Sequence, residues 1–171
     1  TTYPDFKFRF YSTSIFNLYS IVKMVSESLK VFVKGYKEII DALEDYGTTY
    51  GPEMVILFDS TGLIIADFIK NYDDQTKNTL DKIVNEHLEF YKQLEEESVE
   101  IMSSRGFDGQ MMNCCFQFSI PSKPVEEEDK DKKNFYISLV VRGEKGIEAE
   151  GRIGELLNLI RSKLSQMIRK A

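Results

Sequence analysis

PEMVILFDSTGLIIAD, residues 52–67, sets two short apolar runs, Met54–Phe58 and Leu63–Ala66, on either side of Asp59-Ser60-Thr61-Gly62. Each run has strand length and is rich in Val and Ile. An Asp opens a tight turn by bonding its side chain to nearby backbone, and a Gly takes the positive-φ position that closes it. The stretch therefore predicts a β-hairpin. Both runs are apolar on nearly every residue, so both faces of the hairpin are expected to be covered.

Upstream, residues 12–47 carry a long helical pattern. Ser12-Thr13-Ser14 offers hydroxyls for an N-cap. Leu18, Val22, Val25, Leu29, Phe32, Tyr36, Ile39, Leu43 and Tyr46 then recur at alternating spacings of four and three. Such a seam suits a coiled coil or one long face laid on another helix. Gly35 lies inside it, where a kink or break would cost least. The seam can be closed within one chain or between two, and the second is the expectation, because few other helices remain to cover so long a stripe. Gly47 and Gly51-Pro52 are expected to end the helix. Residues 1–11, TTYPDFKFRFY, place Phe6, Phe8 and Phe10 opposite Lys7 and Arg9, as in a half-buried arm or extra strand.

Downstream, Asp73 is a fitting N-cap for a helix over about 75–97, with Leu80, Ile83, Val84, Leu88, Tyr91 and Leu94 as its apolar face. Val99-Glu100-Ile101 can open a third strand, ahead of a turn at 105–109. Residues 110–120 alternate as a strand, with Met112, Cys114, Phe116, Phe118 and Ile120 toward the core and Asn113, Gln117 and Ser119 away from it. Pro121-Ser122-Lys123-Pro124 is expected to stop it. EEEDKDKK at 126–133 reads as a charged, solvated hairpin tip. Residues 135–142 return as the partner strand, 143–146 form a loop, and an amphipathic helix runs from Gly151 to Arg169. The chain thus divides into an arm (1–11), a long helix (12–47) and an α+β core (48–171). The fold class is α+β: a central antiparallel sheet of about five strands flanked by helices.

Composition narrows the function. A net charge of −6 argues against a nucleic-acid partner, since phosphate contacts need a basic surface. No run approaches the roughly 18 apolar residues of a membrane-spanning helix. A membrane partner is not expected unless an anchor is missing from this stretch, which begins without Met. The two cysteines, Cys114 and Cys115, are adjacent in a strand pattern, so one buried and one less buried free thiol are expected in a reducing compartment. The one histidine, His87, lies at the edge of a helical apolar stripe. With no second ligand at metal spacing it reads as a packing residue. No nucleophile, paired carboxylate or phosphate loop stands out, so no catalytic residue, metal or cofactor is expected.

With these elements in order, the chain resembles the Roadblock (dynein light chain) family and its profilin-like relatives. The residues that carry the likeness are VILFDSTGLIIAD at 55–67, the helix at 75–97, the strands at 110–120 and 135–142, and GRIGELLNLIRSKL at 151–164. The long upstream helix, the arm and the charged tip depart from that pattern. The resemblance implies a non-enzymatic, cytoplasmic protein that forms dimers by joining sheets and packing helices, and that scaffolds or regulates a small Ras-like GTPase. A rival resemblance, to Cache/PAS-like sensor domains, implies instead a ligand pocket against the sheet and an extracytoplasmic portion of a receptor. On the first reading the interface residues are Leu18, Val22, Val25, Leu29, Phe32 and Tyr36 of the seam, with Lys82, Glu86, Glu89 and Gln93 as a polar rim on the second helix.

Overall fold

The computed structural model describes residues 20–21, 23–25, 35–71, 76, 78–83, 101–105, 111–121 and 132–170. The hairpin forms where its residues require it. β1 (Met54–Asp59) and β2 (Ile64–Ile69) pair antiparallel, with Leu57 opposite Ala66 and Met54 opposite Ile69. Asp59 builds the turn. Its Oδ1 accepts from the backbone N–H of Thr61 at 2.8 Å and of Leu63 at 3.0 Å, and from the Thr61 hydroxyl at 2.6 Å. Gly62 closes it at φ 82°, a conformation that side chains oppose. β2 runs on past Ala66 because Phe68 and Ile69 both find apolar surface to pack on.

Three further strands complete the sheet: β3 (Ile101–Arg105), β4 (Met111–Pro121) and β5 (Lys132–Arg142). Their order is β2-β1-β5-β4-β3, and each neighbouring pair is antiparallel. The third strand is described from Ile101, within the stretch Val99-Glu100-Ile101 expected to open it, and residues 99–100 lie outside the described residues. β4 ends at Pro121, its last paired residue, opposite Lys132, where the proline-bearing stretch was expected to stop it. Proline is tolerated at such a strand terminus. β5 begins at Lys132, so Lys132 and Lys133 belong to the strand, and the rest of the expected charged tip lies outside the described residues.

One face of the sheet is covered by α1 (Tyr36–Tyr50) and α2 (Glu144–Lys170). Val55, Leu57, Cys114, Phe116, Phe118, Ile137 and Leu139 pack there against Ile39, Leu43 and Tyr46 of α1 and Ile153, Leu156 and Ile160 of α2. Fully burying one such side chain contributes roughly 1.5–3 kcal/mol. The opposite face carries Met54, Ile56, Phe58, Ile64, Met111, Cys115, Tyr136 and Val140 beneath Leu80 and Ile83. Those two belong to the helical residues 78–83, and the remainder of the expected 75–97 helix lies outside the described residues.

The break falls at Gly35, as its place in the pattern suggested: at φ 93° it is the N-cap from which α1 starts, and most of the pattern upstream of it lies outside the described residues. Several expectations are corrected. Gly47 does not end α1; it is buried within it, and Gly51 at φ 67° is the C-cap. Ile39, Leu43 and Tyr46 lie in the chain's own core, so that part of the seam is intramolecular. Residues 144–150 are helical where a loop and a later start were expected. Both cysteines are buried, and Asn113 is 2% exposed, because the face of β4 expected to look away is itself covered. The arm at 1–11 lies outside the described residues.

Candidate functional site

Among the described residues the five-stranded order begins with β2 and ends with β3, so those two strands carry its edges. An edge offers unpaired backbone groups to another chain. On β2 the pairing shows which groups those are. The Lys70 N–H donates to the Glu53 carbonyl at 3.0 Å, so by the antiparallel alternation Phe68 also bonds inward to β1, and Asp67 and Ile69 turn their backbone groups outward.

That edge has company. Lys23, on the helical residues 23–25, holds Asp67 Oδ2 at 2.6 Å. The Asp67 side chain is 8% exposed and that of Lys23 35%. Beside the pair lies a cleft of about 410 Å³, lined by Lys23, Glu44, Thr48, Asp67, Phe68 and Ile69. A second cleft of about 340 Å³ opens on the other side of the sheet, between Glu53, Asn71, Thr76, Thr79 and Arg142. There Lys70 faces Glu53 at 3.5 Å, and the Arg142 guanidinium donates to Met111 Sδ at 3.5 Å.

The two helices that cover the first face are tied to each other. The Tyr46 hydroxyl donates to the Ala149 carbonyl, and Lys163 of α2 meets Glu38 of α1. Burial pushes the Tyr46 phenol well above its usual range, helped by Tyr50 and Glu155. The outward face of α1 carries Glu38, Asp41, Glu44 and Asp45, all exposed.

The chemistry of the described groups is quiet. Burial pushes the Cys114 thiol up to about 11, with Glu150 adding to it. It pushes Cys115 up to about 12, against a lowering hydrogen bond with Ser138. Thiols held so far above neutrality are poor nucleophiles. Among the described residues no group of three His, Cys, Asp or Glu side chains converges as a metal site, and no helix is long and apolar enough to cross a membrane.

The residues singled out from sequence are placed unevenly. Val25 is exposed at 39%, Tyr36 is half-buried, and Lys82 is exposed on the helical residues whose Leu80 and Ile83 are buried. Leu18, Val22, Leu29, Phe32, Glu86, Glu89, Gln93 and His87 lie outside the described residues. Missed from sequence were the Lys23–Asp67 pair and the buried oxygens of Asn113 and Gln117 on one side of β4, which have no hydrogen-bond partner among the described residues. The available signal for the first was a lone carboxylate inside the otherwise apolar strand IIADFI.

No protein-family model and no curated protein matches the chain. Solved structures do. The chain aligns with Myxococcus xanthus MglB at a TM-score of 0.55 and 9% identity, over 78% of this chain and 92% of that one. It also aligns with the gliding protein MglB of Thermus thermophilus at a TM-score of 0.48 and 11% identity, over 81% and 93% of the two chains. At 9% identity the likeness is one of fold: the chain shares the Roadblock/profilin-like fold of Myxococcus xanthus MglB.

Proposed function

We propose that this chain is a non-catalytic, self-associating regulator or scaffold of a small Ras-like GTPase. The observation that carries the reading is the fold: an antiparallel sheet with helices on both faces that aligns over 92% of Myxococcus xanthus MglB. The hairpin with its Asp59-Ser60-Thr61-Gly62 turn, the helical residues 78–83 and the closing α2 are the segments on which the Roadblock resemblance rests. The raised thiols of Cys114 and Cys115 agree with a protein that performs no chemistry of its own. Self-association would use a sheet edge together with helix packing, and exposed Lys82 would belong to the polar rim of the partner surface with Glu86, Glu89 and Gln93.

The test has two arms. Light scattering of the purified chain should give a mass above the monomer. A pull-down from the source organism's lysate should recover a small GTPase whose affinity, by calorimetry, depends on the bound nucleotide. A concentration-independent monomer mass, or no recovered GTPase, counts against the proposal. The second reading, a ligand-binding sensor, has one observation in its favour: among the described residues, the buried Asn113 and Gln117 oxygens on the same side of β4 have no polar partner. Water or a polar ligand would satisfy them. A small metabolite that raises the melting temperature, with no GTPase recovered, favours that second reading instead.

A further inference from the structure

We propose that the cleft between Arg142, Met111, Thr76 and Thr79 is a binding site for a small oxyanion, the carboxylate or phosphate of a small molecule, anchored by the Arg142 guanidinium. The inference rests on neither reading of the function, and its test needs no GTPase.

The topology assembles this site at one end of the sheet. β1 starts at Met54, β4 starts at Met111, and β5 ends at Arg142, directly opposite Met111. By strand alternation the Arg142 side chain falls on the face of the sheet that carries Val140 and Met111. Thr76 and Thr79 come from the helical residues whose Leu80 and Ile83 cover that face. The cleft among them holds about 340 Å³, near the small end of the roughly 300–1,000 Å³ of ligand sites.

Its chemistry suits an anion. Arg142 is exposed, and among the described residues its guanidinium donates to Met111 Sδ alone, at 3.5 Å. A thioether is a weak acceptor, so the guanidinium fork keeps donors for a pair of oxygens. Glu53 also lines the cleft, but it faces Lys70 at 3.5 Å, and among the described residues no ion pair joins it to Arg142. With Glu53 offset by Lys70, the charge of Arg142 stands uncancelled. The Asn71 amide can donate to the same oxyanion, and Met54 and Met111 offer apolar surface for the rest of the ligand. Thr76 and Thr79 have interactions of their own and act as walls.

A second observation points the same way. One step deeper along β4 from Met111, on the same face, Asn113 is 2% exposed, and its Oδ1 has no hydrogen-bond partner among the described residues. Native folds rarely leave such an atom unsatisfied, so this side of the sheet is one that takes in polar molecules.

Thermal melts of the full chain at constant ionic strength test the site, with inorganic phosphate, acetate or butyrate replacing chloride. One or more of these anions should raise Tm progressively with concentration. A rise with phosphate alone identifies a phosphate ligand, and a rise with acetate or butyrate identifies a carboxylate. Arg142→Gln should weaken the binding by at least about tenfold, and Arg142→Lys, which keeps the charge without the fork, should lose less. Glu53→Gln, which removes a negative charge beside the anion, should tighten binding by about two- to fivefold. No rise with any of the anions overturns the proposal. So does a rise that Arg142→Gln leaves intact, which would mark a general salt effect. Should Arg142→Gln lose its cooperative melt, Glu53→Gln decides, and an affinity unchanged or weakened there overturns the site.

Discussion

Gly47 of α1 stands so close to the Phe68 ring of β2 that a Cβ added to it would lie 2.3 Å from ring Cδ1. No side chain fits there without moving either the ring or the helix. This contact explains why a glycine sits buried inside a helix, where its entropy disfavours it. It also sets how near α1 can lie to the hairpin.

Gly47→Ala should therefore destabilise the fold, although alanine is the better helix former. Overpacking of this kind costs about 1–3 kcal/mol, against the roughly 1 kcal/mol that helix propensity returns. Urea denaturation should show a lower midpoint for Gly47→Ala and partial recovery when Phe68→Leu is added. A stabilised Gly47→Ala variant would refute the close approach.

The buried thiols predict a loss of stability in mild alkali. Folding raises Cys114 from 9.0 to about 11 and Cys115 from 9.0 to about 12. Well below pH 9 both stay protonated in the folded and unfolded chains, and stability does not depend on them. As pH rises past 9 the unfolded chain releases these protons while the folded chain keeps them, so stability falls. The slope is about 1.4 kcal/mol per pH unit for each thiol concerned, until the folded value is reached. Tyr46, also raised by burial, adds to the loss once pH passes the ordinary phenol value of 10.0. Denaturation under reducing conditions should give a lower unfolding free energy at about pH 10 than at about pH 8. Cys115→Ala should flatten that difference.

Asp59 holds the hairpin turn through three bonds from two residues, Thr61 and Leu63. Asp59→Ala leaves the Thr61 and Leu63 amides without that acceptor and should cost about 1–2 kcal/mol. Asp59→Asn, which keeps one side-chain oxygen, should cost less. Thermal melts of the two variants check the order. Equal melting temperatures would mean that the turn is held by its backbone alone.

How much of this could be read beforehand depends on the range of each interaction. The Asp59-to-Gly62 turn was legible because all its bonds close within four residues. The alternation of β4 was legible too, but alternation tells which way a side chain points and not what lies above it. Asn113 and Gln117 therefore read as solvated, although helical residues 78–83 cover that side of the sheet. The break at Gly35 was legible from the glycine itself, although the apolar spacing ran straight through it, since periodicity carries no record of a positive φ. Gly143 and Gly146 suggested a loop and Gly151 a later helix start, although α2 begins at Glu144. Of the candidate surface, Lys82 could be placed by helical phase alone. The Lys23–Asp67 pair could not, because 44 positions separate its partners and neither residue is unusual in its own neighbourhood.

The corrected seam yields the sharpest contrast between two residues that the sequence treats alike. Leu43 and Val25 share one heptad pattern, yet Leu43 is 0% exposed in the core while Val25 is 39% exposed. If the seam were a single interface between copies, a charge at either position would weaken association, and the cost would vary with protein concentration. With Leu43 packed inside its own chain, Leu43→Ala should cost about 2–5 kcal/mol regardless of concentration. Leu43→Asp should abolish the cooperative melt. Val25→Asp should leave the melt of the core within about 0.5 kcal/mol of the unmodified chain, because an exposed position tolerates the change. Melts recorded at two well-separated protein concentrations decide between the two pictures. A Leu43→Ala cost that falls as concentration rises would return Leu43 to an intermolecular seam.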